Sequence, residues 1–216
     1  MEQPTLFEFV VDAKAVRAAL LGAGWRSDHI RMVVDGDATA AGIRSAFAWL
    51  AARSGPKTFS LMHFSGHVCI ASRGSCASGH TYLWSYDNRF VPETEVRSMM
   101  SRVKGYSWLD VAGCEAGAFD LHSSTRMFSG SSRASETSYE NRDWKESYWA
   151  GLVWDRGFTQ GLADDRGAAR RATIGEMTAY GQKQAPPMTA SGEVGSQHPV
   201  VYGGSPSWTL YAPPGG

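Results

Sequence analysis

The sequence predicts an α/β fold, a parallel or mostly parallel sheet with helices on both faces. Three observations point there. Short apolar, partly β-branched runs alternate with stretches of helical periodicity. Two of those runs end in glycine-flanked turns that carry a histidine and a cysteine. The 216 residues are enough for one domain with a substantial core. Strand and helix alternating in this way imply crossover helices on both sides of one sheet.

From Asp12 onward, Val16, Ala19, Leu20 and Ala23 recur at helical spacing, with Asp12 as the cap and Gly24 as the stop. Ile30 to Val34 reads as a short buried strand closed by the turn Asp35-Gly36-Asp37. A second helix opens near Thr39, carries Ile43, Ala46, Phe47, Leu50 and Ala51 on one face, and ends at Ser54-Gly55-Pro56. Thr58 to Phe64 and Thr81 to Tyr86 are expected strands, Glu93 to Val103 a helix, and Tyr106 to Ala112 a further strand. The signal then weakens: Phe119 to Met127 reads as helical and Ser129 to Ser135 as a polar loop. Helices are expected from about Ser147 to Leu162 and from Thr173 to Tyr180, before a last strand at Val200 to Tyr202. The domain is thus placed at residues 1–203, and the Gly-, Pro- and Ser-rich residues 204–216 are expected to form a flexible tail.

The 21 basic residues cancel the 21 acidic ones, so no long-range field draws the chain to nucleic acid or to an anionic membrane surface. Neither is an expected partner. No run approaches the roughly 18 apolar residues of a membrane span, and the amino end lacks a secretory pattern, which makes the cytoplasm the expected location. Three cysteines, Cys69, Cys76 and Cys114, are an odd count, so at least one thiol is expected to be free.

The chemistry sits in the two turns Phe64-Ser65-Gly66-His67 and Ala112-Gly113-Cys114-Glu115-Ala116-Gly117. In a parallel sheet the turns that follow two strands lie along one edge, where open α/β sheets place their ligands. His67 and Cys114 can meet there. A thiol of ordinary pKa is only a few per cent ionised at neutral pH, and a nearby imidazole can take its proton. His63, four residues before His67, reads as a packed core side chain, and His29, His80, His122 and His198 as loop or surface residues. A tetrahedral zinc site at His67, Cys69, Cys76 and His80 has suitable ligand chemistry but unfamiliar spacing, and would occupy the imidazole lone pair. Cys69 and Cys76 therefore read as incidental loop thiols. Trp144, Tyr148, Trp149 and Trp154 read as core packing at helical spacing.

These motifs resemble the caspase and metacaspase family, including its bacterial members. His63-Phe64-Ser65-Gly66-His67 is similar to the family's histidine signature, and Leu109 to Gly117 to its cysteine signature. The separation of 47 positions fits a histidine about 50 residues upstream of the cysteine. Asp12-Ala13, Asp37-Ala38-Thr39 and Ser131 to Glu140 look like further matching segments, so the resemblance covers roughly residues 10 to 203. It implies a caspase-like three-layer α/β sandwich and a cysteine endopeptidase acting on protein or peptide substrates through a thioester acyl-enzyme. Cys114 would be the nucleophile, His67 the general base, and backbone N–H groups near Val68 and Cys114 the oxyanion hole. Glu136, Asp110 and Arg133 are the implied substrate-binding residues. A carboxylate at Glu136 favours a basic residue before the scissile bond, and Arg133 would serve an acidic one. No organic cofactor is implied; some members respond to calcium, but no dense carboxylate loop is visible here. Three features depart from the family pattern. Only Leu6 to Val11 is available where a first core strand is expected, Val68 replaces a glycine, and Ala112 replaces the acidic or glutamine residue two before the cysteine. The alternative reading is a catalytically weak caspase-like fold that acts as a protein-interaction module.

Overall fold

A computed structural model describes residues 7–70, 79–165, 171–191 and 195–211. Its central sheet has four strands, β1 (Phe59–Ser65), β5 (Tyr106–Ala112), β6 (Arg126–Gly130) and β9 (Val200–Gly203), in the order β1-β5-β6-β9. The first three are parallel and β9 is antiparallel. A small antiparallel sheet of β2 (Val68–Ile70), β3 (Thr81–Trp84) and β4 (Phe90–Pro92) follows the His67 turn, and β7 (Glu140–Asn141) pairs with β8 (Glu146–Ser147).

Every residue of β5 from Ser107 to Ala112 is buried, as a strand covered on both faces must be. Its alternation divides the core. Trp108 and Ala112 pack with α1 (Phe7–Gly22), with α4 (Tyr148–Ala150), which continues as π turns over Gly151–Thr159, and with α5 (Ile174–Ser191). Leu109 and Val111 pack on the other face against α2 (Ala40–Arg53) and α3 (Glu93–Ser101). Two apolar layers around one sheet make the three-layer α/β sandwich of the sequence expectation. Helix α2 starts where its cap predicts, because the Thr39 hydroxyl accepts from the Gly42 N–H at 3.0 Å.

Several elements differ from expectation. Helix α1 begins at Phe7, so Asp12 lies inside it and is buried rather than capping it. Residues 30–34 form no strand, although Ile30 and Val34 are extended. Thr81–Trp84 is a strand of the small antiparallel sheet, not of the central one. The stretch 119–127 holds the end of a 3₁₀ turn and the start of β6 instead of a helix. Helix α5 runs on to Ser191 through Pro186 and Pro187. The tail expected from 204 is packed through residue 211: Trp208 and Leu210 are buried, and the Leu210 carbonyl accepts from the Trp25 indole at 2.8 Å. Residues 212–216 lie outside the described residues.

One charge is set into this core. Asp110 on β5 is wholly buried and accepts from the indoles of Trp149 (2.7 Å) and Trp154 (2.8 Å), from the Ser129 hydroxyl, and pairs with His63 Nδ1 at 2.8 Å. Burial opposes its ionisation, but the bonds from His63, Ser129 and Trp149 outweigh that and hold the carboxyl below its ordinary range. The substrate-binding role expected for Asp110 is thereby corrected: the side chain has no surface to offer a substrate. Asp110→Ala would strand two indole N–H groups and a hydroxyl in the core, so unfolding free energy in denaturant should fall by about 3 kcal/mol or more. Asp110→Asn, which keeps a carbonyl acceptor, should lose less.

Candidate active site

Parallel pairing of β1 with β5 aligns His63 with Asp110 and Ser65 with Ala112, so the two signature turns leave the sheet side by side. The contact continues past the strands, because the Gly66 N–H donates to the Ala112 carbonyl at 3.1 Å. A Cβ on Gly113 would lie 2.8 Å from both the Gly66 oxygen and a Val68 methyl, so only glycine lets the turns approach this closely. His67 and Cys114 thus sit on abutting turns at the carboxyl ends of adjacent strands.

The Cys114 turn is braced from the loop after β6. Ser131 Oγ accepts from the Gly113 N–H and donates to the Gly113 carbonyl, both at 2.9 Å, and Ser132 Oγ donates to the same carbonyl at 3.1 Å. The Glu115 N–H donates to the Glu136 carbonyl at 2.8 Å. Glu115 itself adopts φ 49°, a left-handed conformation uncommon for a residue with a side chain. Backbone strain of this kind clusters at functional sites and persists only where surrounding contacts over-determine it. Cys114 is not in a disulfide, and its sulfur lies 3.8 Å from the Ser138 carbonyl.

His67 reaches the surface but its ring is flanked by Phe9 of α1, edge-on at 5.1 Å between centroids, and by Trp84 of β3 at 6.2 Å. Desolvation by this packing lowers its pKa from the ordinary 6.5, so the imidazole is predominantly neutral at pH 7. Val68 lies in β2 without positive φ, and the glycine of the family pattern is not needed for its backbone conformation. Since the Trp84 N–H donates to the His67 carbonyl at 3.0 Å, Val68 and Leu83 form a non-hydrogen-bonded pair. The Val68 N–H therefore faces away from β3, towards the open edge of the small sheet.

The expected specificity residues do not stand free. Glu136 accepts from Arg133 at 3.2 Å and from the ring and backbone N–H of His198, both at 3.0 Å. Their sequence segment does lie beside the Cys114 turn, since Gly117 abuts Arg133 and Ala134. Cys69 is disulfide-bonded, which corrects its reading as an incidental thiol and removes it as a zinc ligand. His80 is paired with Glu93 at 2.8 Å, and Cys76 lies outside the described residues. Among the described residues Asp164, Asp165 and Glu176 form a carboxylate group that could face a cation, though Glu176 already accepts from Thr173 at 2.6 Å. No described helix is long and apolar enough to cross a membrane.

Sequence reasoning missed Phe9 and Trp84 against His67, and the anchoring role of Asp12. The Asp12 carboxylate accepts from the Ser65 hydroxyl and from the Ser147 N–H (3.0 Å), tying α1 and β8 to the residue two before His67. The Ser-Gly-His motif was the available signal for Ser65, but nothing in the sequence pairs it with Asp12.

The chain belongs to the caspase domain family, whose model matches residues 3–192. That family is one of cysteine peptidases. Among solved structures the chain is similar to protein GSU0716 from Geobacter sulfurreducens, with TM-score 0.66, 12% identity, and coverage of 90% of this chain and 83% of that one. It is also similar to caspase-1 from Spodoptera frugiperda, with TM-score 0.61, 10% identity, and coverage of 93% and 80%. At such identities the likeness is one of fold. No curated protein matches the chain.

Two acids near the site make stability depend on pH. Burial pushes the Asp12 carboxyl up to about 6, against the opposing bonds from Ser65 and Ser147. Burial, reinforced by the Asp155 and Asp12 carboxylates and opposed by Arg156, pushes Glu146 up to about 7. Both folded values lie above the unfolded ones, so the folded chain holds protons that the unfolded chain has released. Stability is therefore full below about pH 4 on this account and falls as pH rises to about 7, by on the order of 2 kcal/mol for Asp12. Urea midpoints should be higher near pH 5 than near pH 8 for the wild type, and Glu146→Gln should flatten the difference.

Proposed function

We propose that the chain is a cysteine endopeptidase in which Cys114 attacks the scissile carbonyl and His67 manages the proton. The observation that carries this is the contact between the two turns at the ends of β1 and β5. In the first step the Cys114 sulfur bonds to the carbonyl carbon and the thiol proton passes to His67. The negative oxygen is held by backbone N–H groups at Cys114 and Val68, the second of which faces away from β3. Collapse breaks the C–N bond, the amine leaves with the proton from His67, and a thioester remains. Water then adds with His67 as base, and the acid product leaves the restored thiol.

A neutral imidazole is the form this mechanism uses, and the apolar rings of Phe9 and Trp84 favour it. A preference for a basic residue before the scissile bond belongs to the same reading, with Glu136 as its carboxylate. The Arg133 side chain that now pairs with Glu136 is 60% exposed, and an exposed pair of this kind is worth only about 0–1 kcal/mol. A substrate cation can therefore displace Arg133 at small cost, while His198 stays in place.

Cys114→Ala should abolish cleavage of a peptide library while the chain keeps its circular dichroism and unfolding midpoint. A thiol-reactive probe should label Cys114, with labelling slowed strongly in His67→Ala; equal labelling in the two would leave the non-catalytic interaction module as the better reading. The rate should rise with pH through a midpoint below 6.5, and Trp84→Ala, by admitting water to the ring, should move that midpoint upward. Glu136→Gln should lower activity on basic substrates much more than on neutral ones. Efficient cleavage after aspartate by the unmodified chain would transfer the specificity role to Arg133.

A further inference from the structure

The small antiparallel sheet carries a row of rings that begins at His67. The Trp84 N–H donates to the His67 carbonyl at 3.0 Å and Trp84 pairs with Phe90, so His67, Trp84 and Phe90 stand in one row across the strands. Residues directly opposite one another in antiparallel strands share a face. Ring centroids are accordingly 6.2 Å apart from His67 to Trp84 and 5.6 Å from Trp84 to Phe90. Tyr82, two residues before Trp84 on β3, widens the same face, 5.8 Å from Phe90. We propose that Trp84 and Phe90 form a subsite for aromatic or large aliphatic side chains at the first and third positions after the scissile bond. This subsite rests on the catalytic reading above and adds to it the leaving-group half of the substrate.

The core does not use these rings. Val68, Leu83 and Val91, the next row along the same strands, face inward and belong to the buried cluster around Leu109 and Val111. Tyr82, Trp84 and Phe90 face the other way and are packed against neither buried cluster of the described residues. They stay partly accessible, although large aromatic side chains gain most from burial. The Trp84 indole N–H already donates to Asn88 at 3.1 Å, so what this ring offers a ligand is apolar surface. An accessible apolar face that adjoins a reactive side chain is a place for a ligand.

Chemistry fixes which part of the substrate meets the row. The leaving amine takes its proton from His67, so the residue that follows the scissile bond departs past the imidazole and not past Cys114. In this mechanism the scissile carbonyl lies beside the Val68 N–H, which faces away from β3. A chain running from that carbonyl past His67 therefore meets Trp84 and then Phe90. In an extended segment every second side chain falls on one side, about 6.5–7 Å apart, which suits the 5.6 Å between the two rings. The first and third residues then turn towards the rings and the second towards solvent. The row holds no ionised group at pH 7, because burial keeps the His67 imidazole neutral, so a charged side chain would meet no counter-ion in it.

The test uses internally quenched peptides cleaved by the full chain, with arginine or aspartate before the bond and glycine, lysine or phenylalanine at the first and third positions after it. Phenylalanine at the first position should raise kcat/KM over glycine by about tenfold or more, and at the third position by several-fold. Phe90→Ser, which removes a ring that lies outside both buried clusters, should lose the third-position preference and keep the first. The tripeptide amide Phe-Gly-Phe should inhibit the unmodified chain competitively where Gly-Gly-Gly does not, a measurement that stands even if the variant fails to fold. Rates for glycine and phenylalanine within about twofold of each other, with cleavage intact, overturn this subsite alone. Lysine as effective as phenylalanine overturns it too, since the row would then be a site for cations. No cleavage of any peptide overturns the catalytic reading together with it.

Discussion

A carboxylate held at 0% exposure, Asp110, meets an imidazole directly across the β1–β5 pair, and the position of that contact governs what lies beyond it. His63 stands four residues before His67, and Asp110 four residues before Cys114. Fixing the register at one rung fixes it at the next, because parallel strands advance by the same rise per residue. A slip by one residue would turn every side chain of a strand to the opposite face and place Asp110 among Leu109's apolar neighbours. The register is thus specified by the most expensive mispairing available, an ion in a hydrocarbon layer.

The same carboxylate binds the covering layer. Trp149 and Trp154 reach it from the helical stretch after β8, and Trp154 stacks on Trp108 of β5 at 4.9 Å. Asp12, likewise fully buried, repeats the device by joining α1 to Ser65 and to the Ser147 backbone. Its cost is greater, because fewer bonds offset its desolvation, and burial accordingly pushes the carboxyl up to about 6. Polar groups set into a core in this way constrain the arrangement of the layers around them, and here Asp110 and Asp12 join the sheet to the layer that carries α1.

At the open side of β1 the fold is differently built. Helices cover both faces of a strand whose outer row of peptide groups has no partner among the described residues. An edge of that kind is ordinarily blunted by charge, by proline or by a bulge, and none of these stands in Phe59–Ser65. The groove along this edge ends at the His67 turn.

Much of the fold was legible in the sequence because it depends on local pattern. Tyr106–Ala112 was read to the residue, since Gly105 and Gly113 bound an apolar run, and α2 was read from the Thr39 cap to Ser54. The abutment of His67 and Cys114 followed from parallel topology alone. What the sequence could not show depends on partners distant along the chain. Residues 30–34 carry the composition of a strand, but a strand exists only when its peptide groups are paired, and the space beside them is empty of described chain. Residues 204–211 have the composition of a tail, yet Trp208 and Leu210 fill core positions, Trp208 against Phe59 of β1 and Tyr106 of β5, that exist only once the chain has folded. Asp12 had the look of a cap and Asp110 that of a pocket carboxylate; tertiary packing buried both, because the hydrogen-bond donors that make burial tolerable come from Ser65, Ser147, Trp149 and Trp154, whose convergence no local pattern encodes.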